Sequence, residues 1–525
     1  MRFTEAQKGK LPRWVEIFLI CGVSTHSSSR AGRFFLILGI VGGPFILGMD
    51  VLSIGVALAP MAAALDASLT TLQWFMSGYG IGVATFLITA GRLSDLFGAR
   101  NMNRLGLLVF GGASILMAMA PNSMTAIVAR LLQGVGGALM LSSSIGIAGH
   151  CFTGHDRAKV FSLIMAMAGL GMSLGPLIGG IAIHFFDWRA VFWVNVPIIL
   201  FWGINNTVFL PHDPKRERQP FDFVGLVLLV ATILLFVVPL SQGVSWGWGS
   251  ALTLGLFAGF LFCAPLLILR ERRFGNPLLD FSLLRIPGFL PASLCAFVAY
   301  FVSIGWLFLF SLYLHHVRGF SALETGLSFL PFSLGYFGVG LFSTRLAERI
   351  GWRRFLATGS LLLAMGVGAL SLIDPLTPYW VMGCGFAVVG IGYISANNAG
   401  ITLAQGEAPA DKAGAASGFS MMFRWLGSAL GITVMTVVLH TASRESLAQQ
   451  IEGREHLTVS APVLMETLTE DGSWEVQIQR LPARERDEIR SLLASAYTDG
   501  VNRGLLLLGL CGLASLAVVP LIPKR

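Results

Sequence analysis

Long apolar stretches separated by short polar segments run through most of the chain. A helix that spans the hydrocarbon core of a bilayer needs roughly 20 predominantly apolar residues. Such stretches lie near 33–59, 71–91, 104–121, 124–147, 159–184, 190–210, 222–241, 250–269, 287–314, 324–343, 355–373, 378–403, 414–440 and 502–521. Because most of the intervening segments are short, successive helices must be antiparallel. The pattern predicts an all-α integral membrane protein with fourteen transmembrane helices.

The amino-acid composition favours the same class of protein. Hydrophobic residues make up 54% of the chain and charged residues 12%, whereas a soluble domain carries about 25% charged residues. One very large soluble core would not explain apolar runs of this length. The six cysteines are scattered and form no CxxC pair. The sequence therefore predicts no disulfide framework, no metal site and no cofactor.

Basic residues predict the orientation of the chain in the membrane. With the N-terminus inside, about 25 of the 36 lysines and arginines fall in cytoplasmic segments. The short outer loops contain only Arg189 and Arg318. The net charge of +8 is thus interpreted as a topology signal and not as a nucleic-acid-binding surface. We expect a multi-pass protein of the bacterial inner membrane with both termini in the cytoplasm, and a cytoplasmic tail over 1–32.

Two parts of the chain resemble each other. The segment DRAKVFSLIMAMAGLGMSLG, from Asp156, resembles DKAGAASGFSMMFRWLGSALG, from Asp411, at an offset of about 255 residues. The repeat predicts a six-helix bundle over 33–210 and a second over 287–525. Between them, 211–286 comprises a charged cytoplasmic link and two inserted helices, the seventh and eighth.

One long polar segment, 441–501, separates the last two predicted helices and is expected to be an extracytoplasmic loop. Within it, 484–498 carries Ile489, Leu492, Leu493 and Ala496 at helical spacing. Two interpretations remain open at this point, an amphipathic surface helix and a flexible loop.

The cytoplasmic segment 91–101, GRLSDLFGARN, is a candidate gating loop. Gly91 and Gly98 allow close packing and a sharp turn. Asp95 and Arg100 place opposite charges at the membrane surface, where each can pair or meet a helix end. Such a cluster can latch two bundles together in one conformation, and a weaker copy at 344–354 favours this reading. The alternative is a solvated loop.

Three ionisable residues lie inside apolar helices, where a charge costs roughly 3 kcal/mol. Asp50 is in the first helix, Arg130 in the fourth and Arg424 in the thirteenth. Gln133 lies on the same face as Arg130, one turn later. Asp50 is a candidate for exchanging a proton or binding a cationic substrate. The alternative is a structural partner for Arg130 or Arg424, and a further alternative for Arg130 is snorkelling to the surface.

The fifth helix contains GMSLGPLIGG at 171–180. Gly171, Gly175 and Gly179 form a smooth stripe at i, i+4 and i+8, and Pro176 bends the helix. The stripe would let this helix rock against a helix of the other bundle. The alternative is close packing without motion.

Together these motifs resemble a known family. GRLSDLFGARN resembles the loop 2–3 motif of the major facilitator superfamily, RLLQGVGGA at 130–138 its helix 4 motif, and GMSLGPLIGG its antiporter motif. GMDVLSIGVALAP in the first helix resembles the helix 1 motif of the fourteen-helix drug–proton antiporter family, the EmrB/QacA-type multidrug exporters. Further matches are LQWFMSGY at 72–79, DWRAVFWVNVP at 187–197, FDFVG at 221–225, GVSWGWGS at 243–250, NPLLD at 276–280 and GFSALETGLSFLP at 319–331.

The resemblance implies the major facilitator fold, with two six-helix bundles around a central cavity and the two inserted helices at the periphery. It implies proton-coupled export of lipophilic, often cationic, compounds by alternating access. Asp50 would be the proton or cation carboxylate, with Arg130, Gln133 and Arg424 in the coupling region. Trp74 and Tyr79 would line the cavity.

The expected partners are a small-molecule substrate, protons and the lipid bilayer. Whether a periplasmic adaptor protein docks on 441–501 is left open by the sequence. A transporter of one specific metabolite, in either direction, is the main alternative function. A membrane enzyme is disfavoured because the nine histidines are dispersed and no nucleophile–base constellation is present.

Overall fold

The computed structural model describes residues 30–152, 154–211, 222–274, 278–409, 412–452, 464, 478 and 485–523. These residues form helices and turns and contain no strand. The long helices are α1 (Arg30–Leu65), α2 (Leu69–Phe97), α3 (Ala99–Ala118), α4 (Ser123–Cys151), α5 (Gly154–Phe185), α6 (Ala190–Trp193 and Asn195–Phe209), α7 (Phe223–Trp246), α8 (Ala251–Arg273), α9 (Phe289–His316), α10 (Ala322–Ser328 and Leu330–Ile350), α11 (Trp352–Ala369), α12 (Tyr379–Glu407), α13 (Ala413–Ile451) and α14 (Arg486–Val518). Short 3₁₀ helices cover Phe281–Arg285, Leu370–Leu372 and Val519–Leu521.

Thirteen helical segments of the described chain are long and apolar enough to cross a membrane. The remaining long helix, α3, begins with a polar turn that contains Arg100, Asn103 and Arg104. At 20 residues it still measures about 30 Å, the thickness of the hydrocarbon core. The predicted all-α membrane fold with fourteen helices is therefore confirmed.

Local sequence chemistry sets the ends of several helices. Ser68 accepts a hydrogen bond from the amide of Thr71 and caps α2, and Asn122 caps α4 in the same way. The turn between α2 and α3 lies at Gly98, whose φ of 93° favours glycine, and Gly351 has a φ of 90° between α10 and α11. The two turns occupy matching places in the two halves, as the internal repeat predicts.

The helices form two six-helix bundles, α1–α6 and α9–α14, and α7 and α8 pack on each other outside them. α7 also packs against α2 of the first bundle and α13 of the second. Close backbone contacts at small residues hold each bundle together. In the second bundle, for example, a Cβ on Gly431 of α13 would lie 2.3 Å from the carbonyl oxygen of Phe301 of α9.

The two bundles meet along α2 and α13 and along α5 and α10. Gln73 of α2 donates a hydrogen bond to Thr433 of α13 at 2.8 Å. Ser173 of α5 donates to the carbonyl oxygen of Ser333 of α10 at 3.2 Å. Both pairs are buried, so the bundles share a polar as well as an apolar interface.

The glycine stripe of α5 does not face the second bundle, contrary to the expectation from its sequence. A Cβ on Gly171, Gly175 or Gly179 would lie 2.1, 2.5 or 3.0 Å from carbonyl oxygens of α1, in the same bundle. The contact with α10 uses the neighbouring face of α5, where the carbonyl oxygen of Pro176 would lie 2.4 Å from a Cβ on Gly326. Spacing along a helix identifies a smooth face but not the helix that it meets.

The predicted loop 441–501 is largely helical where the structure describes it. α13 continues to Ile451 and α14 already begins at Arg486, so the two helices extend together beyond the predicted apolar spans. Ser446 donates to Asp499 at 2.6 Å, and Arg503 pairs with Glu445. The amphipathic segment is thus helical, but it is the first part of α14 and not a separate surface helix. Most of the predicted tail 1–32 and of the link lies outside the described residues.

Candidate functional site

A fully buried ion pair lies inside the first bundle. Nη1 of Arg130 on α4 is 2.5 Å from Oδ2 of Asp50 on α1, and the two side chains are 1% and 0% exposed. A charge this deep in a membrane protein must be paired. Of the alternatives that the sequence left open, pairing of Asp50 with Arg130 is the one observed, and Arg130 does not snorkel to the surface.

Neighbouring polar groups accept further hydrogen bonds from Arg130. Its Nη1 donates to Oε1 of Gln133 at 2.8 Å, and its Nε donates to the carbonyl oxygen of Phe75 at 2.7 Å. Gln133 in turn donates to Oγ of Ser114 on α3 at 2.9 Å. The guanidinium group is therefore held by three acceptors in addition to a ring contact described below.

Asp50 has a second donor that sequence reasoning did not single out. Nδ2 of Asn195 on α6 donates to Oδ1 of Asp50 at 2.9 Å and also approaches Ser114 at 3.5 Å. Asn195 lies in the quoted segment DWRAVFWVNVP, and its polar side chain within an apolar helix was the available signal. With Asn195 included, five helices of the first bundle contribute to one polar network.

Aromatic rings connect this network to the second bundle. The guanidinium carbon of Arg130 lies 4.7 Å from the ring centroid of Tyr79, within cation–π distance. The ring of Tyr79 meets the ring of Trp425 on α13 edge to face at 5.8 Å. Tyr79 is thus shared between the buried ion pair and the interface of the bundles.

Arg424 lies on the other side of that interface, in α13, and does not join the ion pair. Its guanidinium carbon is 4.7 Å from the ring centroid of Tyr300 and 5.5 Å from that of Trp425. Among the described residues no carboxylate lies within ion-pair distance of Arg424. Its buried Nε has no hydrogen-bond partner there. The sequence grouped Arg424 with Asp50, and the structure separates them by two aromatic rings.

Three tyrosines extend the aromatic surroundings of Arg424. Tyr300 of α9 and Tyr393 of α12 are 5.9 Å apart, and Tyr393 and Tyr336 of α10 are stacked at 5.4 Å. Tyr336 also reaches the first bundle, because a Cβ on Gly169 of α5 would lie 2.8 Å from its ring. We call Tyr300, Tyr336, Tyr393 and Trp425 the aromatic cluster.

The candidate gating loop contributes a buried arginine to the first bundle. Nη2 of Arg100 donates to the carbonyl oxygen of Thr207 on α6 at 2.6 Å, while Asp95 is exposed. A Cβ on Gly91 would lie 3.3 Å from Oγ of Ser142. These contacts stay within one bundle, so the latch between bundles stays a prediction.

The predicted cavity residues Trp74 and Tyr79 are both buried. A cavity of about 960 Å³ lies elsewhere, where the end of α5 meets the start of α6. Its lining is mainly apolar and includes the exposed aromatic side chains Phe185, Phe186 and Trp193. We interpret it as a groove on the lipid-facing surface, distinct from the ion pair.

The family profile and similar curated proteins agree on the kind of protein that this chain resembles. The Major Facilitator Superfamily profile matches residues 40–432. The methylenomycin A resistance protein of Streptomyces coelicolor is 33% identical over 401 residues, which cover 75% of this chain and 83% of that protein. The tetracenomycin C resistance and export protein of Streptomyces glaucescens is 28% identical, and the alignment covers 94% of this chain and 92% of that protein. The multidrug efflux pump LfrA of Mycolicibacterium smegmatis is 27% identical, and the alignment covers 96% of this chain and 99% of that protein.

Solved structures show a similar fold at low sequence identity. A bacterial homologue of the human lysosomal transporter Spinster, in an inward-facing and unoccupied conformation, superposes with a TM-score of 0.67 at 14% identity. The alignment covers 94% of this chain and 98% of that one. A peptide transporter in complex with sulfate gives a TM-score of 0.61, also at 14% identity.

Proposed function

This chain belongs to the Major Facilitator Superfamily, and on that premise we propose that it exports small lipophilic molecules from a bacterial cell in exchange for protons. The names of its relatives support this direction and substrate range, since they are resistance and export proteins for antibiotics or several drugs. In this proposal the protein is a carrier in the plasma membrane and works by alternating access.

The observation that carries the proton coupling is the buried pair of Asp50 and Arg130. A proton on Asp50 would remove the negative charge and leave the arginine with only neutral acceptors. Because a buried cation without its counter-ion is costly, protonation would favour a rearrangement of the helices that hold the pair. The network joins α1, α2, α3, α4 and α6, so such a change would act on most of the first bundle.

Tyr79 supplies the route from the ion pair to the second bundle. Its ring contacts Arg130 on one side and Trp425 on the other. A movement of Arg130 would therefore alter a contact across the interface along which the bundles must rock. This arrangement supports coupling of proton exchange to a change in access, because both events involve the same ring.

The orientation and the gate are further parts of the proposal. We place both termini and 91–101 in the cytoplasm, following the distribution of basic residues. Gly91, Asp95, Gly98 and Arg100 would close the cytoplasmic side in one conformation. The helical extensions of α13 and α14 would then project outside, where a periplasmic adaptor protein has a surface available to it.

Everted membrane vesicles test the proposed function directly. With an acidic vesicle interior, a fluorescent lipophilic dye added outside should accumulate inside as protons leave. Asp50→Asn should abolish that uptake, whereas Asp187→Asn, in an exposed pair with Arg189, should leave it intact. Uptake only in right-side-out vesicles would instead support an importer, and uptake insensitive to the proton gradient would contradict the coupling.

A further inference from the structure

Among the described residues, Arg424 of the second bundle has no carboxylate within ion-pair distance, whereas Arg130 of the first bundle pairs with Asp50. We propose that Arg424 and the aromatic cluster bind the acidic group of an aromatic substrate, so that this transporter carries aromatic acids or ionised phenols. The inference rests on the proposed function and adds the chemical class of its substrate.

The geometry around Arg424 suits a flat, negatively charged molecule. Tyr300 and Trp425 lie against the guanidinium group and meet each other edge to face at 5.2 Å. Tyr393 and Tyr336 continue the aromatic surface away from the charge. Tyr300, Tyr393 and Trp425 are at most 1% exposed in this conformation. A ligand ring would therefore stack on them as the bundles separate, with its acidic group on the guanidinium.

Two hydrogen-bond donors of this region have no acceptor in the part of the chain that the structure describes. Nε of Arg424 and Nε1 of the buried Trp425 are both without a partner among the described residues. The cation–π contacts of Arg424 do not replace the hydrogen bond that its buried Nε would make in water. An anion would supply the missing charge and accept both hydrogen bonds.

The buried carboxylate of the first bundle is already engaged. Asp50 accepts hydrogen bonds from Arg130 and Asn195, so a cationic substrate would have to displace an arginine. An anionic substrate at Arg424 displaces no ion pair that the structure describes. The unequal pairing of the two arginines therefore favours an acidic ligand over a basic one.

The position of the cluster explains how such a ligand would influence transport. Trp425 contacts Tyr79, and Tyr336 contacts the backbone region of Gly169, so the cluster touches α2 and α5 of the first bundle. A ligand held there would bridge both bundles. Its binding energy would thus depend on how the bundles are arranged, as transport requires.

Two probes with the same ring system and opposite charge provide the test. Binding of 9-anthracenecarboxylate and of 9-(aminomethyl)anthracene to the purified full-length protein is measured by quenching of tryptophan fluorescence. We expect the carboxylate to bind the wild-type protein more tightly than the amine. Arg424→Gln should weaken carboxylate binding by about tenfold or more, the loss expected for one charge-assisted hydrogen bond, and should not weaken amine binding.

Matched variants separate a binding role from a structural one. Arg424→Lys keeps the charge and should retain part of the carboxylate affinity, and Arg189→Gln, at an exposed arginine, should retain all of it. Monodisperse size-exclusion profiles establish that each variant is folded. Equal carboxylate affinity in Arg424→Gln, or a wild-type preference for the amine, overturns the proposal.

Transport data distinguish this failure from failure of the proposed function. If everted vesicles accumulate neutral or cationic dyes, but Arg424→Gln leaves the accumulation of 9-anthracenecarboxylate unchanged, the export function stands and the anion site is wrong. If wild-type vesicles accumulate no probe of any charge, the proposed function itself fails.

Discussion

The buried ion pair allows a quantitative test of the site. Asp50→Asn preserves the size of the side chain and the contact with Asn195 but removes the charge that faces Arg130. Breaking a buried pair by removing one partner costs about 3–5 kcal/mol. The double variant with Arg130→Gln removes both charges, so we expect it to recover a large part of that loss.

The measurement is a double-mutant cycle on the purified protein. Unfolding of the wild type, both single variants and the double variant is followed in detergent by tryptophan fluorescence. A coupling energy above about 2 kcal/mol between Asp50 and Arg130 is expected for a buried pair in contact. The same cycle on Asp187 and Arg189, which are 54% and 38% exposed, should give at most about 1 kcal/mol.

The two cycles also define the result that would refute the reasoning. Equal coupling energies for the buried and the exposed pair would mean that burial adds nothing at this site. An Asp50→Asn protein that keeps both its stability and its transport driven by a pH gradient would remove the pair from the mechanism. Loss of stability with normal transport would leave it a purely structural role.

Three further predictions concern the backbone and the surface. Gly175→Ala should lower the unfolding midpoint because the new Cβ would lie 2.5 Å from a carbonyl oxygen of α1. Gly255→Ala should not lower it, since a Cβ there has no atom within 4 Å; equal effects of the two substitutions would contradict the close contact. Gly98→Ala should cost about 1–3 kcal/mol because of its φ of 93°, and an unchanged midpoint would contradict the turn. Partial burial opposes ionisation of Asp280, but hydrogen bonds from Lys412 and from Ser282 outweigh it and hold the pKa below its ordinary value. This contribution is present above the unfolded pKa of about 3.9 and is lost as the pH falls through the lower folded value. Asp280→Asn should therefore reduce, by under about 1 kcal/mol, the stability lost between neutral pH and about pH 3; an unchanged loss would contradict the pair.

The membrane fold follows from the sequence because hydropathy reports directly on burial in lipid. Even α3 was identified, although Arg100 and Arg104 make its first turn polar. The polar extensions of α13 and α14 were less predictable. Outside the bilayer a helix needs no apolar run, and the hydrogen bond from Ser446 to Asp499 joins residues 53 positions apart.

The site was only partly predictable for a related reason. The apolar surroundings of Asp50 and Arg130 indicated that both needed partners, but the sequence left Arg130 and Arg424 as equal candidates for pairing with Asp50. Asn195 was not predicted as a site residue because a single asparagine in an apolar helix does not by itself indicate a functional site. The aromatic cluster comes from four helices, and no pattern along one segment brings Tyr336 near Arg424.

The placement of α7 has a consequence for the exposure of the bundle interface to lipid. By packing against both α2 and α13, it covers one of the two lines along which the bundles meet and shields that line from the surrounding lipid. Over the described residues, neither α7 nor α8 packs extensively on the other line, between α5 and α10. An otherwise pseudo-symmetric carrier therefore presents two unequal sides to the bilayer.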